Sequence, residues 1–172
     1  AGLTGLHRIV DGHRRLYRNG SLAQVLLTAA EIDLNLALGN GNIARAVAES
    51  DLSGHPLIVV ATARTELLTG NPDAARAVLN RISWPDCGWL RAHIEALLVE
   101  AAACLPTDRV AAVLAWNRAV ALADSLGNRR VLTTVPAEIG RRLAAEAGAA
   151  PYDVSHIDPF PASVPEVVLT PR

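Results

Sequence analysis

From residue 3 to about residue 148 the apolar positions recur at three- and four-residue spacing, and short turn-forming clusters separate one run from the next. Leu3–Arg18 reads as a first helix closed by Asn19-Gly20, with Ser21 capping a second over Leu22–Leu38. Gly39-Asn40-Gly41 ends that helix, and Asn42 caps a short one over Ile43–Glu49. After a loop at Ser50–Pro56, Leu57–Thr69 is helical up to Gly70. Asn71-Pro72-Asp73 is a strong start signal: a capping Asn, a Pro that fits the first turn, and an Asp facing the positive helix end. The helix it opens is expected to reach about Ile82. Ser83–Gly88 is a loop, Trp89–Cys104 a helix, and Thr107 caps Asp108–Leu126, which Gly127 closes. A last helix spans about Arg129–Ala147, with Pro136 bending or restarting it. No run of alternating β-branched residues occurs, so the expected class is all-α. Ala149–Glu166 carries Pro151, Pro159, Pro161 and Pro165 and reads as an extended linker. The chain thus divides into a helical domain over 1–148, a Pro-rich linker over 149–166 and a short tail over 167–172.

The helices carry an internal repeat. Leu38-Gly39-x4-Ala44 recurs as Thr69-Gly70-x4-Ala75 and, degraded, as Leu105-Pro106-x4-Ala111. The steps bracket the roughly 34 residues of a tetratricopeptide (TPR) unit. A small residue after the first helix of a pair permits a tight turn, and an early Ala in the second lets two backbones approach closely. Val59–Ile82 resembles the TPR pattern, without its usual early Trp and Tyr. The resemblance implies a TPR-like αα-hairpin solenoid of about three to four helix pairs, each burying its apolar face against the next.

Composition narrows the chemistry. Half of the 172 residues are apolar (51%) and only 3% are aromatic, so the core is aliphatic and rich in Ala. Sixteen basic residues, all Arg, oppose 17 acidic ones; the net charge of −1 gives no overall pull toward nucleic acid or an anionic membrane. The uncharged stretches Ser21–Ala30 and Leu52–Ala63 are shorter than the ~18 residues of a membrane span. Cys87 and Cys104 make no disulfide framework, and neither they nor the five histidines have metal-ligand spacing. A cytoplasmic location is therefore expected. Gly39-x-Gly41-x-x-Ala44 fits a dinucleotide-binding fingerprint by letter, but it follows a helix where that fingerprint needs a strand. No nucleophile–base pair, metal cluster or phosphate loop is left, so no enzyme is expected. With no Met, the chain is expected to be either processed or a piece of a longer protein.

The tail adds a resemblance. Leu169-Thr170-Pro171-Arg172 resembles the opening L-[ST]-x-R-E of a LuxR-type helix-turn-helix domain, short of its Glu. Asp108–Ala147, with Ala119-Val120-Ala121-Leu122-Ala123, Gly127, Arg129-Arg130 and Pro136, resembles the final repeats of the large MalT-like LuxR regulators. The resemblance covers about residues 20–169. It implies a ligand- or partner-sensing arm that relays a signal to a C-terminal DNA-binding domain outside this sequence. ATP would belong to an upstream domain, DNA to the downstream one, and no cofactor to this arm. The implied partner is a small-molecule effector or a peptide, with no membrane contact, and a homodimer is open. The competing expectation is a general TPR-like scaffold that holds a partner peptide in its groove.

In such solenoids the first helix of each pair lines the concave face. Six residues before each turn marker stand Asp33, Arg64 and Glu100, with His93, Val60 and Ala96 facing the same way. Asp33, Arg64, His93 and Glu100 are thus the expected binding residues, and exchanging Arg64 for Glu should abolish binding with little loss of stability. The plain alternative is a set of solvated or mutually paired charges. His7 and His13 lie among Arg8, Arg14, Arg15 and Arg18 on a basic first-helix face. Trp84 and Trp89 flank the loop around Pro85, where they either anchor it or stack on a ligand.

Overall fold

The computed structural model describes residues 21–148; the expected helix Leu3–Arg18, the linker and the tail lie outside them. The described residues are helical throughout, without strands: α1 (Leu22–Ala37), α2 (Gly41–Ser50), α3 (Pro56–Leu68), α4 (Pro72–Leu79), α5 (Leu90–Cys104), α6 (Arg109–Ser125) and α7 (Ala137–Glu146). Two 3-10 segments, Trp84–Asp86 and Arg129–Thr134, sit between them.

Local chemistry explains the boundaries, and it moves several of the expected ones. The Ser21 hydroxyl accepts the Gln24 N–H and opens α1 as expected. At α3, Nδ1 of His55 accepts the Leu57 N–H, and Pro56 takes the first helical position. Asn40, two residues earlier than the expected Asn42, stands at the start of α2. Asp108 rather than Thr107 caps α6, its carboxylate accepting the Ala111 N–H at 3.0 Å. Asn71 opens α4 without a side-chain cap; its amide turns back and donates to Glu66. Helix α4 stops at Leu79, short of Ile82, where the last turn tightens and Trp84 Nε1 donates to the Leu79 carbonyl at 2.9 Å. The last expected helix breaks at Pro136, which forces Val135 into an extended backbone between the 3-10 segment and α7.

The turns α1–α2 and α3–α4 are built alike. Gly39 and Gly70 take φ of +75° and +88°, and the amides of Asn40 and Asn71 reach back to the carbonyls of Asn35 and Glu66 at 2.8 Å. This left-handed closure is why a glycine follows each helix. The α5–α6 turn, through Leu105-Pro106-Thr107, closes without one.

Helices joined by these short turns pack against each other, and α1 also touches α3, as α3 touches α5. Helix α2 meets α3 and α4 meets α5, but α2 and α4 do not meet. The first helices of the pairs therefore form one continuous layer, and the second helices lie against it separately. Helix α7 closes the far end on α5 and α6. The core follows the same order in three clusters, centred on Ile32 with Ala44, on Val60 with Ala75, and on Leu98 with Trp116. Ala44, Ala75 and Ala112 are all fully buried, each four residues after the start residues Asn40, Asn71 and Asp108. The third is thus Ala112, not the Ala111 that the marker at Pro106 suggested. Close approach is visible again at Gly41, where a Cβ would stand 2.7 Å from Thr69 Cγ2.

Candidate functional site

The expected row of charges exists in part, and its register differs from expectation. Arg64 extends from α3 between its two neighbours: Nη1 donates to Asp33 on α1, and Nη2 donates to Glu95 on α5 at 2.7 Å. Arg91, one turn before Glu95, donates to its other oxygen at 2.9 Å. The four residues form an alternating chain, Asp33–Arg64–Glu95–Arg91, that ties three successive first helices together. Asp33 to Arg64 and Arg64 to Glu95 are both steps of 31 residues. Glu100 is not part of it. Asp33 and Arg64 each stand seven residues before the start of the next helix, whereas Glu95 stands thirteen before Asp108. Helix α5 thus carries about six extra residues, or about 9 Å, beyond the shared register. Counting back from Pro106 skipped this extension; the step from Gly39 to Gly70, applied once more to Arg64, finds Glu95.

Arg64 and Glu95 are buried, and Asp33 lies at the rim. Burial works against the Arg64 charge, but Asp33 and Glu95 more than reverse that and hold its pKa above the ordinary range. The Nε of Arg64 has no acceptor among the described residues. A guanidinium enclosed by two carboxylates has little left to offer a ligand, and through them Arg64 joins α1, α3 and α5. On the same ground Arg64→Glu is expected to cost stability, since it would place a third carboxylate beside two.

Glu100 and His93 belong to a second place, along α4 and α5. A cavity of about 160 Å³ is lined there by Arg76, Leu79, Asn80, Ile82, Trp84, Ala96, Leu97 and Glu100. His93, Ala96, Leu97 and Glu100 fall at i, i+3, i+4 and i+7 and share one face of α5. The Trp84 ring, part of that lining, stacks on His93 at 6.5 Å between centroids. Arg76 and Glu100 both act electrostatically on the buried thiol of Cys104, whose pKa burial pushes up. Neither Arg76 nor Glu100 has an ion-pair or hydrogen-bond partner among the described residues. Sequence reasoning missed Arg76, although it follows Arg45 by the same 31 residues.

Two histidines give the fold a pH dependence. Desolvation lowers the pKa of His93, with Arg118 adding to the effect, and desolvation lowers that of His55, against a smaller opposing influence of Asp51. His55 also meets Trp89 edge-on at 4.6 Å. Because the fold favours both neutral imidazoles, the unfolded chain takes up protons first, and stability falls as pH drops below about 6.5. Melting temperatures at pH 7.5 and 5.5 should show this loss, and His93→Gln should remove part of it.

Among the described residues no three His, Cys, Asp or Glu side chains are grouped to hold a metal ion, and no helix is long and apolar enough to cross a membrane. Cys87 and Cys104 are free thiols. No family model, curated protein or solved structure matches the chain.

Proposed function

We propose that this chain is the ligand- or partner-sensing arm of a cytoplasmic transcription regulator of the MalT-like LuxR class. On this reading it is a TPR-like αα-hairpin solenoid that relays its state to a C-terminal helix-turn-helix domain. The observation that carries the reading is the 31-residue register, which sets Asp33, Arg64 and Glu95 side by side on successive first helices. Layered pairs of this kind transmit strain from neighbour to neighbour, because each unit contacts only the next. A ligand that alters the α4/α5 packing would therefore change how α6 and α7, and whatever follows them, are presented. Leu169-Thr170-Pro171-Arg172 supports the placement by its resemblance to the start of the DNA-binding unit. ATP and DNA belong, on this reading, to domains on either side.

The test uses the residues that follow Arg172 in the source protein. The reading expects Glu next and a helix-turn-helix pattern over about 60 residues, and the protein extended through them should bind duplex DNA with a steep salt dependence. Downstream residues without that pattern, or an extended protein that ignores DNA, would leave a peptide-binding scaffold in its place.

A further inference from the structure

We infer that the cavity between α4 and α5 is a binding site for a small free amino acid with an apolar side chain, its carboxylate held by Arg76. The argument rests on the repeat itself, which shows the same site once filled and once open. At the first interface Arg45 of α2 reaches α3 and grips the Glu66 carboxylate through Nε and Nη2, at 2.8 and 3.0 Å. Its Nη2 also donates to Thr69 Oγ1 at 2.8 Å. The paired hydrogen bonds hold Glu66 below the ordinary carboxylate range. Shifting each of these residues by 31 gives Arg76, Leu97 and Glu100.

The guanidinium is thus kept at the second interface, and the carboxylate it would grip is replaced by Leu97. Where Arg45 is satisfied by its neighbour, the exposed Arg76 has no hydrogen-bond or ion-pair partner among the described residues, and it lines a cavity. Planar, two-pronged donation is what a guanidinium offers a carboxylate. An incoming carboxylate would take the position that Glu66 holds one repeat earlier. Glu100, where the first interface has Thr69, supplies a negative charge on the same cavity for an ammonium group. Leu79, Ala96 and Leu97 form an apolar floor, and Trp84, anchored through Nε1, forms a wall. About 160 Å³ is below the ~300–1,000 Å³ of sites for drug-sized molecules, which restricts the ligand to a free amino acid or something of that size.

As the identity of the sensed ligand, this inference rests on the sensing-arm reading, but the site itself is tested without DNA. The experiment is calorimetric titration of the chain with L-leucine, N-acetyl-leucine and leucinamide. L-leucine should bind, and masking either charge should weaken binding about tenfold or more, as expected for a lost charge-assisted hydrogen bond. Arg76→Gln should abolish the penalty of leucinamide relative to leucine, and Glu100→Gln that of the N-acetyl compound. Leu97→Glu should pair with Arg76 as Glu66 pairs with Arg45 and block leucine, with a lower melting temperature because Leu97 also packs in the cluster of Leu98 and Trp116. The inference is overturned if leucine does not bind, or if a folded Leu97→Glu or Arg76→Gln protein binds it as the parent does. Leucine binding that leaves the DNA affinity of the extended protein unchanged would sink the relay and keep the site.

Discussion

Replacing Arg64 by Ala should destabilise the helical domain by about 3–5 kcal/mol, the usual cost of removing one partner from a buried ion pair. Glu95 would keep only Arg91, whose side chain is 70% exposed, and Asp33, already 48% exposed, would turn to water. Since domains are stable by only ~5–15 kcal/mol, this is a large share of the total. Urea denaturation should show a lower midpoint at unchanged slope. The informative control is Arg64→Met with Glu95→Leu, which removes both buried charges and keeps comparable volume. That pair should recover most of the loss, because buried ion pairs contribute little over well-packed apolar residues. The Arg64 Nε without an acceptor points the same way. The value of the chain Asp33–Arg64–Glu95–Arg91 is then in fixing the register of α1, α3 and α5 against slippage, not in adding stability.

Trp116→Ala should cost about as much, roughly 3–5 kcal/mol, by a different route. Trp116 is almost completely buried in the cluster that joins α5, α6 and α7. Eight residues after each start residue, the three second helices carry Ala48, Leu79 and Trp116. Side chains of increasing size fill the same register, and the ring fills the widest of the three places. Truncation would leave a cavity with the long α5 on one side. Because contacts run only between neighbours, the damage should be local. Native-state hydrogen exchange should show faster opening in α6 and α7, with α1 and α2 close to the parent. Equal acceleration over the seven described helices would mean that they fold as one indivisible core.

Element existence was legible because the periodicity is strong and the punctuation physical. Gly39, Gly70 and Gly127 follow helices in the sequence, and each takes a positive φ in the fold. The Ala positions at 44 and 75 are buried as the repeat implied. The errors lie where tertiary contacts override local signals. Asn71 looks like a cap, yet its side chain is drawn to Glu66; Ile82 continues an apolar pattern, yet α4 has already ended under Trp84. Asp33 and Arg64 were found through the turn glycines, which share their register. Glu95 was not, since α5 is extended past that register and its turn has no glycine. Next to Arg91 it also has the spacing of an ordinary surface pair, and nothing local marks it as buried. The site residue Arg76 was hidden in a similar way: only the filled Arg45–Glu66 contact shows what position 97 lacks.

The central claim is a division of labour, with Arg64 holding the stack and Arg76 serving the ligand. It is tested most directly by measuring urea stability and leucine affinity on the same two proteins, Arg64→Met/Glu95→Leu and Arg76→Gln. The account predicts a folded first protein that binds leucine like the parent, and a second of parental stability that binds it about tenfold or more weakly. A folded Arg64→Met/Glu95→Leu protein that loses leucine, beside an Arg76→Gln protein that keeps it, would contradict the account.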